Sequence, residues 1–149
     1  MNSRDSKYLD KYLADAYAYA DGEWDKRYPN LPNPTLTQTF RSVEYQDMLY
    51  AQGRLTLEEV NKLRKAQGLL ALKANENKVV TNAKGGKSKH NLTPTKAFDI
   101  AFFDRSKNKL DWSEGLFEKF YNIMIEKFPN VFWGKNFQSI RDIPHFELK

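Results

Sequence analysis

The stretch SKHNLTPTKAFDIAFF, Ser88 to Phe103, decides how the chain folds. After Lys96 it is apolar at every position except Asp99, and Lys96 to Phe103 reads as a strand mostly buried on both faces. A carboxylate in such a strand is expensive to bury unless it is paired or holds a metal. Asp99 therefore sits on the open face of an edge strand, pairs with a lysine, or serves as a ligand. The half before Lys96 follows Gly85 and Gly86, contains Pro94, and reads as a loop. It carries His90, one of only two histidines in the chain. A single loop histidine is ordinarily a polar surface residue. This one lies just ahead of the Asp99 strand, so the two side chains can converge.

The second histidine, His145, lies at the far end, in RDIPHFELK. Asp142 precedes it by three residues, and Pro144 restricts the backbone between them. That arrangement is either a surface turn with an incidental acid or a compact way to set a carboxylate beside an imidazole. If His90, Asp99 and His145 meet, they form a three-ligand zinc set with the fourth position open for water. Asp142 is then the candidate to take a proton and pass it to a leaving amine.

Outward from this stretch, the pattern mixes helices and strands without regular alternation. Residues 5–28 carry Leu9, Tyr12, Leu13, Ala16, Tyr17 and Ala20 at helical spacing, with Ser3 or Asp5 as a possible cap. The prolines and asparagines of Tyr28 to Pro34 end that helix, and Thr35 to Phe40 alternates like a half-buried strand. A second helix is expected from Val43 to Gln52, closed by Gly53. A third begins at Thr56, where TLEE matches a capping box. Lys78 to Ala83 reads as a short strand, and Ser113 to Phe128 as an amphipathic helix stopped by Pro129. The tail is irregular before a final strand at His145 to Leu148. The expected class is α+β, a small mostly antiparallel sheet packed with helices, in one domain spanning residues 1–149.

Composition narrows the chemistry. With 149 residues and 14% aromatics the chain can build a core, and with no cysteine it has neither disulfides nor thiolate metal ligands. No apolar run reaches about 18 residues, so no membrane-spanning helix is expected. The first twenty residues carry acids throughout and lack an apolar core, so no secretory signal is expected either. The net charge of +5 is uneven: residues 51–90 hold nine Lys/Arg against three Asp/Glu. A basic middle suits an anionic partner such as nucleic acid, a membrane surface or an acidic polymer, or is simply a solvated face.

Taken in order, these residues resemble the zinc peptidases that include D-Ala-D-Ala carboxypeptidases and the L-alanyl-D-glutamate endopeptidases of bacteriophage lysis systems. Ser88, His90, Ala97 and Asp99 fit their S-x-H-x-x-G-x-A-x-D pattern, and Asp142 and His145 fit the later D-x-x-H. Arg41, Ser42 and Gln46 in TFRSVEYQ resemble an upstream Arg-Ser pair and glutamine, and FWGKNF resembles the segment ahead of the last ligand. The His90-to-Asp99 interval is two residues longer than the pattern and lacks its glycine.

The resemblance implies a hedgehog/D-Ala-D-Ala peptidase-like fold with Zn2+ at the sheet, held by His90, Asp99 and His145. It implies Asp142 as general base and then acid, and Arg41 bonded to the scissile carbonyl or a substrate carboxylate. Ser88, Gln46 and Trp133 would contact substrate, with plain loop, solvent-facing and core positions as their alternatives. The partner would be peptidoglycan, without nucleic acid or stable membrane insertion, and the enzyme a monomer. It would be made in the host cytoplasm as an endolysin and reach the wall after the membrane is permeabilised, cutting between L-alanine and D-glutamate. The rivals are a D-Ala-D-Ala carboxypeptidase of the same family and a basic nucleic-acid-binding module.

Overall fold

In the computed structural model, which describes residues 1–149, one strand buried on both faces over most of its length organises the molecule. This strand, β2 (Ala97–Asp104), is central: it pairs antiparallel with β1 (Asn33–Gln38) along one edge. Its other edge is shared by β3 (Lys109–Asp111) and β5 (His145–Leu148), and β4 (Val131–Trp133) completes the sheet beside β5.

Phe98, Ile100 and Phe102 point to one face of β2, and Phe146 of β5 lies opposite Phe98. Two helices cover that face: α1 (Lys11–Arg27) and the helix over Glu114–Lys127. Leu13, Ala16, Ala20 and Trp24 recur at spacings of three and four, so α1 presents one apolar stripe to the sheet. Phe117, Phe120, Ile123 and Met124 do the same for the other helix. Trp24 is fully buried, and its indole N–H donates to the Pro32 carbonyl at 3.1 Å, which ties the helix to the proline-rich turn.

The opposite face carries Ala97, Asp99 and Ala101 of β2, with His145 and Glu147 of β5 opposite Asp99 and Ala97. The cleft on this face is lined in part by α2 (Val43–Ala51), against which α3 (Leu57–Ala66) packs, so the helix over Glu114–Lys127 is α4. Ser42 caps α2 by accepting from the Tyr45 N–H, and Thr56 and Glu59 form the expected capping box on α3. Gly53 adopts φ +77° just past α2, where other residues are strained.

Three expectations need correction. The first helix does not begin near Ser3 or Asp5: Asp5 caps a separate 3-10 turn, and Asp10 caps α1. Lys78 to Ala83 is not a strand; Val79 and Val80 stay largely exposed and pair with no neighbour. Strands β3 and β4, three residues each, were not foreseen. No helix is long and apolar enough to cross a membrane.

Candidate metal centre

The two histidines meet over Asp99. His145 lies directly opposite Asp99 in the β2–β5 ladder, which sets its Nδ1 3.0 Å from Asp99 Oδ1. His90 arrives from a 3-10 turn at Lys89–Asn91, with its Nε2 3.3 Å from His145 Nδ1 and 3.5 Å from Asp99 Oδ1. One ligand atom from each of the three residues falls within 4.8 Å of the others. Ala97 and Ala101, small side chains on either side of Asp99 on this face, leave room for the incoming turn.

The turn is locked from several sides. Ser88 caps it, its Oγ accepting the His90 N–H at 3.2 Å. The Arg41 N–H donates to the His90 carbonyl, and the Asn91 amide donates back to the Arg41 carbonyl. His90 is 1% exposed, not the surface residue that a lone loop histidine usually is. Its Nδ1 donates to the Thr39 carbonyl at 2.7 Å, which leaves the Nε2 lone pair facing the cluster. On His145 the outward nitrogen is Nε2, 2.9 Å from Glu147 Oε2. Burial holds the His90 imidazole below its ordinary value. Burial also opposes an anion at Asp99, yet the two imidazoles outweigh it and hold the carboxyl well below the usual range.

Arg41 closes the other side of Asp99, its guanidinium 3.2 Å from Oδ2, so Oδ1 alone is left toward the histidines. The same guanidinium donates to Gln38 and, at 2.9 Å, to Gln46 Oε1. Gln46 is fully buried: its amide also reaches the Ala83 carbonyl at 2.7 Å, so it supports Arg41 and does not line the cleft.

The cleft above the cluster has a volume of about 440 Å³ and is lined by Arg41, Tyr45, Lys87, His90, Asp142 and His145, among others. Asp142 sits on its wall, where burial and the Asp99 charge push its carboxyl above the usual range. Trp133 lies on the other side of the sheet, in the core, stacked on Phe146. Its indole N–H donates to the Ile143 carbonyl at 2.7 Å, which steadies the Asp142–His145 turn from beneath. Thus Asp142, Arg41 and Ser88 surround the His90–Asp99–His145 cluster, whereas Gln46 supports from behind and Trp133 from below. Thr39, Gln38, Lys89 and Glu147 also belong to the site. The one sequence signal for Glu147 is its position two residues beyond His145, which strand alternation returns to the same face.

Two inward-facing imidazole nitrogens and one carboxylate oxygen, each oriented by a bond behind it, fit zinc by donor type and number. No protein-family model matches the sequence. The chain is similar to the crystal structure of the L-Ala D-Glu endopeptidase ChiX of Serratia marcescens. That match has 15% sequence identity and a TM-score of 0.56, and covers 100% of this chain and 89% of that one. It is also similar to the vancomycin-resistance D,D-pentapeptidase VanY in complex with Zn(II), at 15% identity and a TM-score of 0.47, over 99% of this chain and 78% of that one. The likeness to ChiX establishes the α+β fold the two chains share.

Proposed function

We propose that this chain is a single-domain zinc peptidase of peptidoglycan stem peptides, cutting the bond between L-alanine and D-glutamate. The observation that carries the reading is the convergence of His90 Nε2, His145 Nδ1 and Asp99 Oδ1 at the floor of a cleft. The fold shared with ChiX over the whole chain supports the choice of bond. His90, Asp99 and His145 would hold the ion. When bound, zinc supplies Lewis acidity that polarises a carbonyl and lowers the pKa of water to about 7.

The protein's own groups do the rest. Asp142, on the cleft wall with a raised carboxyl pKa, takes a proton from the attacking water and returns it to the leaving amine. Arg41 is held at a fixed point by Asp99, Gln38 and Gln46 and keeps a positive charge beside the cleft. There it stabilises negative charge developing on the scissile carbonyl oxygen without having to reorganise. The basic residues 51–90 favour an anionic wall polymer. An endolysin role, with the protein acting on the wall once the membrane is opened, is the finer form of this reading.

Mass spectrometry of digested muropeptides tests it. The expected products carry a free D-glutamyl amino terminus and disappear after exhaustive metal removal. Loss of a terminal D-alanine instead would make the enzyme a carboxypeptidase. Cutting that survives complete chelation would end the zinc reading.

A further inference from the structure

We propose that Glu147 and Lys89 are positioning residues for the metal centre. Glu147 fixes the tautomer and orientation of His145, and Lys89 fixes Glu147. This rests on the zinc reading of His90, Asp99 and His145.

The two histidines present different nitrogens to the cluster, Nε2 from His90 and Nδ1 from His145. A neutral imidazole carries one N–H, so each ring needs an acceptor on its far nitrogen to keep the lone pair turned inward. For His90 that acceptor is a backbone carbonyl, Thr39 O. For His145 it is a side chain, Glu147, whose Oε2 lies 2.9 Å from Nε2. An ionised carboxylate only accepts, so this contact keeps a proton on Nε2, and Nδ1, which faces Asp99 in the metal-free protein, is the nitrogen left to give up its proton to a metal.

Glu147 is itself anchored. Lys89 Nζ donates to its Oε1 at 2.9 Å and to the Leu148 carbonyl at 2.5 Å. Both carboxylate oxygens are therefore engaged, and neither belongs to the set that converges on the cluster. Lys89 precedes His90 in the chain, and Glu147 follows His145 by two. Their ion pair thus joins the turn that carries one ligand to the strand that carries the other. The Glu147 side chain is 16% exposed, so water competes weakly for its bonds. A carboxylate behind a ligating imidazole also makes that ring a better donor, and removing such a partner typically weakens metal binding.

The test uses the full chain, zinc-loaded and cobalt-substituted. Zinc affinity is read by competition with a chromophoric chelator, and ligand geometry from the visible spectrum of the Co(II) form. Glu147→Ala is expected to bind zinc about 10- to 100-fold more weakly and to alter the Co(II) spectrum. Glu147→Gln keeps an acceptor and is expected to recover most of the affinity. Lys89→Met is expected to show a smaller loss in the same direction, and it carries the test if Glu147→Ala does not fold by circular dichroism. Zinc affinity and Co(II) spectrum unchanged in a folded Glu147→Ala, or in Lys89→Met where that variant carries the test, would overturn the proposal and leave the zinc reading standing. Wild-type protein that binds no zinc would overturn both.

Discussion

At Asp142, burial and the neighbouring Asp99 charge both disfavour the ionised carboxyl. A carboxyl whose folded-state pKa is raised holds its proton more tightly in the fold than in the unfolded chain. Stability then rises as pH falls through the folded value, and at pH 7 the ionised group works against the fold. Asp142→Asn removes that charge. The metal-free variant is expected to melt a few degrees higher than wild type at pH 7, keep its zinc, and lose turnover about a hundredfold or more. Calorimetry, metal analysis and muropeptide release check the three parts, and wild-type turnover would remove Asp142 from its proposed role. The three residues that converge, His90, Asp99 and His145, were legible from the sequence because each was an anomaly where it stood. Glu147 and Gln46 were not, because acids in strands and glutamines in helices are ordinary until their partners are known. Gln46 finds its partners at Arg41 and Ala83, and Ala83 lies in a segment whose path no local pattern fixes.

Among the elements, those with a strong pattern were readable: α1 and α4 show an apolar stripe at helical spacing, and β2 an apolar run broken only by Asp99. Lys78 to Ala83 misled because two valines suggest a strand, and a strand needs a neighbour to satisfy its backbone. Here Asn77 bonds the Gly53 N–H at 2.8 Å and the Leu55 carbonyl at 3.1 Å, tying the start of the segment to the end of α2 as a loop. The three residues of β4 are too few to show a period, but the turn after them is set by a single glycine. The Gly134 carbonyl accepts from the Asp142 N–H at 2.9 Å, and a Cβ on Gly134 would run into the Asp142 carbonyl oxygen and sit 3.1 Å from His145 Cβ. Gly134→Ala must therefore push the Asp142–His145 turn outward. It is expected to lose about 1–3 kcal/mol by urea unfolding, the usual cost of overpacking. Zinc affinity should fall with it, because the same shift moves a ligand. An unchanged denaturation midpoint would mean that the turn yields freely and that this glycine does not set the site.

For the whole molecule, the sheet divides two tasks: the apolar core lies against α1 and α4, and the His90–Asp99–His145 cluster occupies the opposite face. Metal removal is accordingly expected to abolish cleavage while leaving the far-ultraviolet circular dichroism spectrum intact. The pH dependence of the metal-free protein follows from the two rings. Burial opposes charge on His145, but its hydrogen bonds to Asp99 and Glu147 outweigh it and raise the ring to about 9. A raised histidine contributes stability that is whole below its unfolded value of about 6.5 and is lost as pH climbs through the folded value. His90, lowered by burial, acts in the other direction, resisting a proton that the unfolded chain accepts below about 6.5. From these two groups, metal-free stability peaks near that pH and declines on either side. With the proposed ligand set, zinc binding would require His145 Nδ1 to give up its proton, so the ion would replace the stabilising proton as pH rises. The melting-temperature increase on adding zinc should therefore grow between pH 6.5 and 9. In His145→Gln both the alkaline decline of the metal-free form and the zinc increment should shrink. Melting curves recorded with chelator and with zinc across that window decide the matter. A zinc increment that stays constant with pH would mean that the ion does not compete with a proton at His145, and the ligand set would have to be drawn without it.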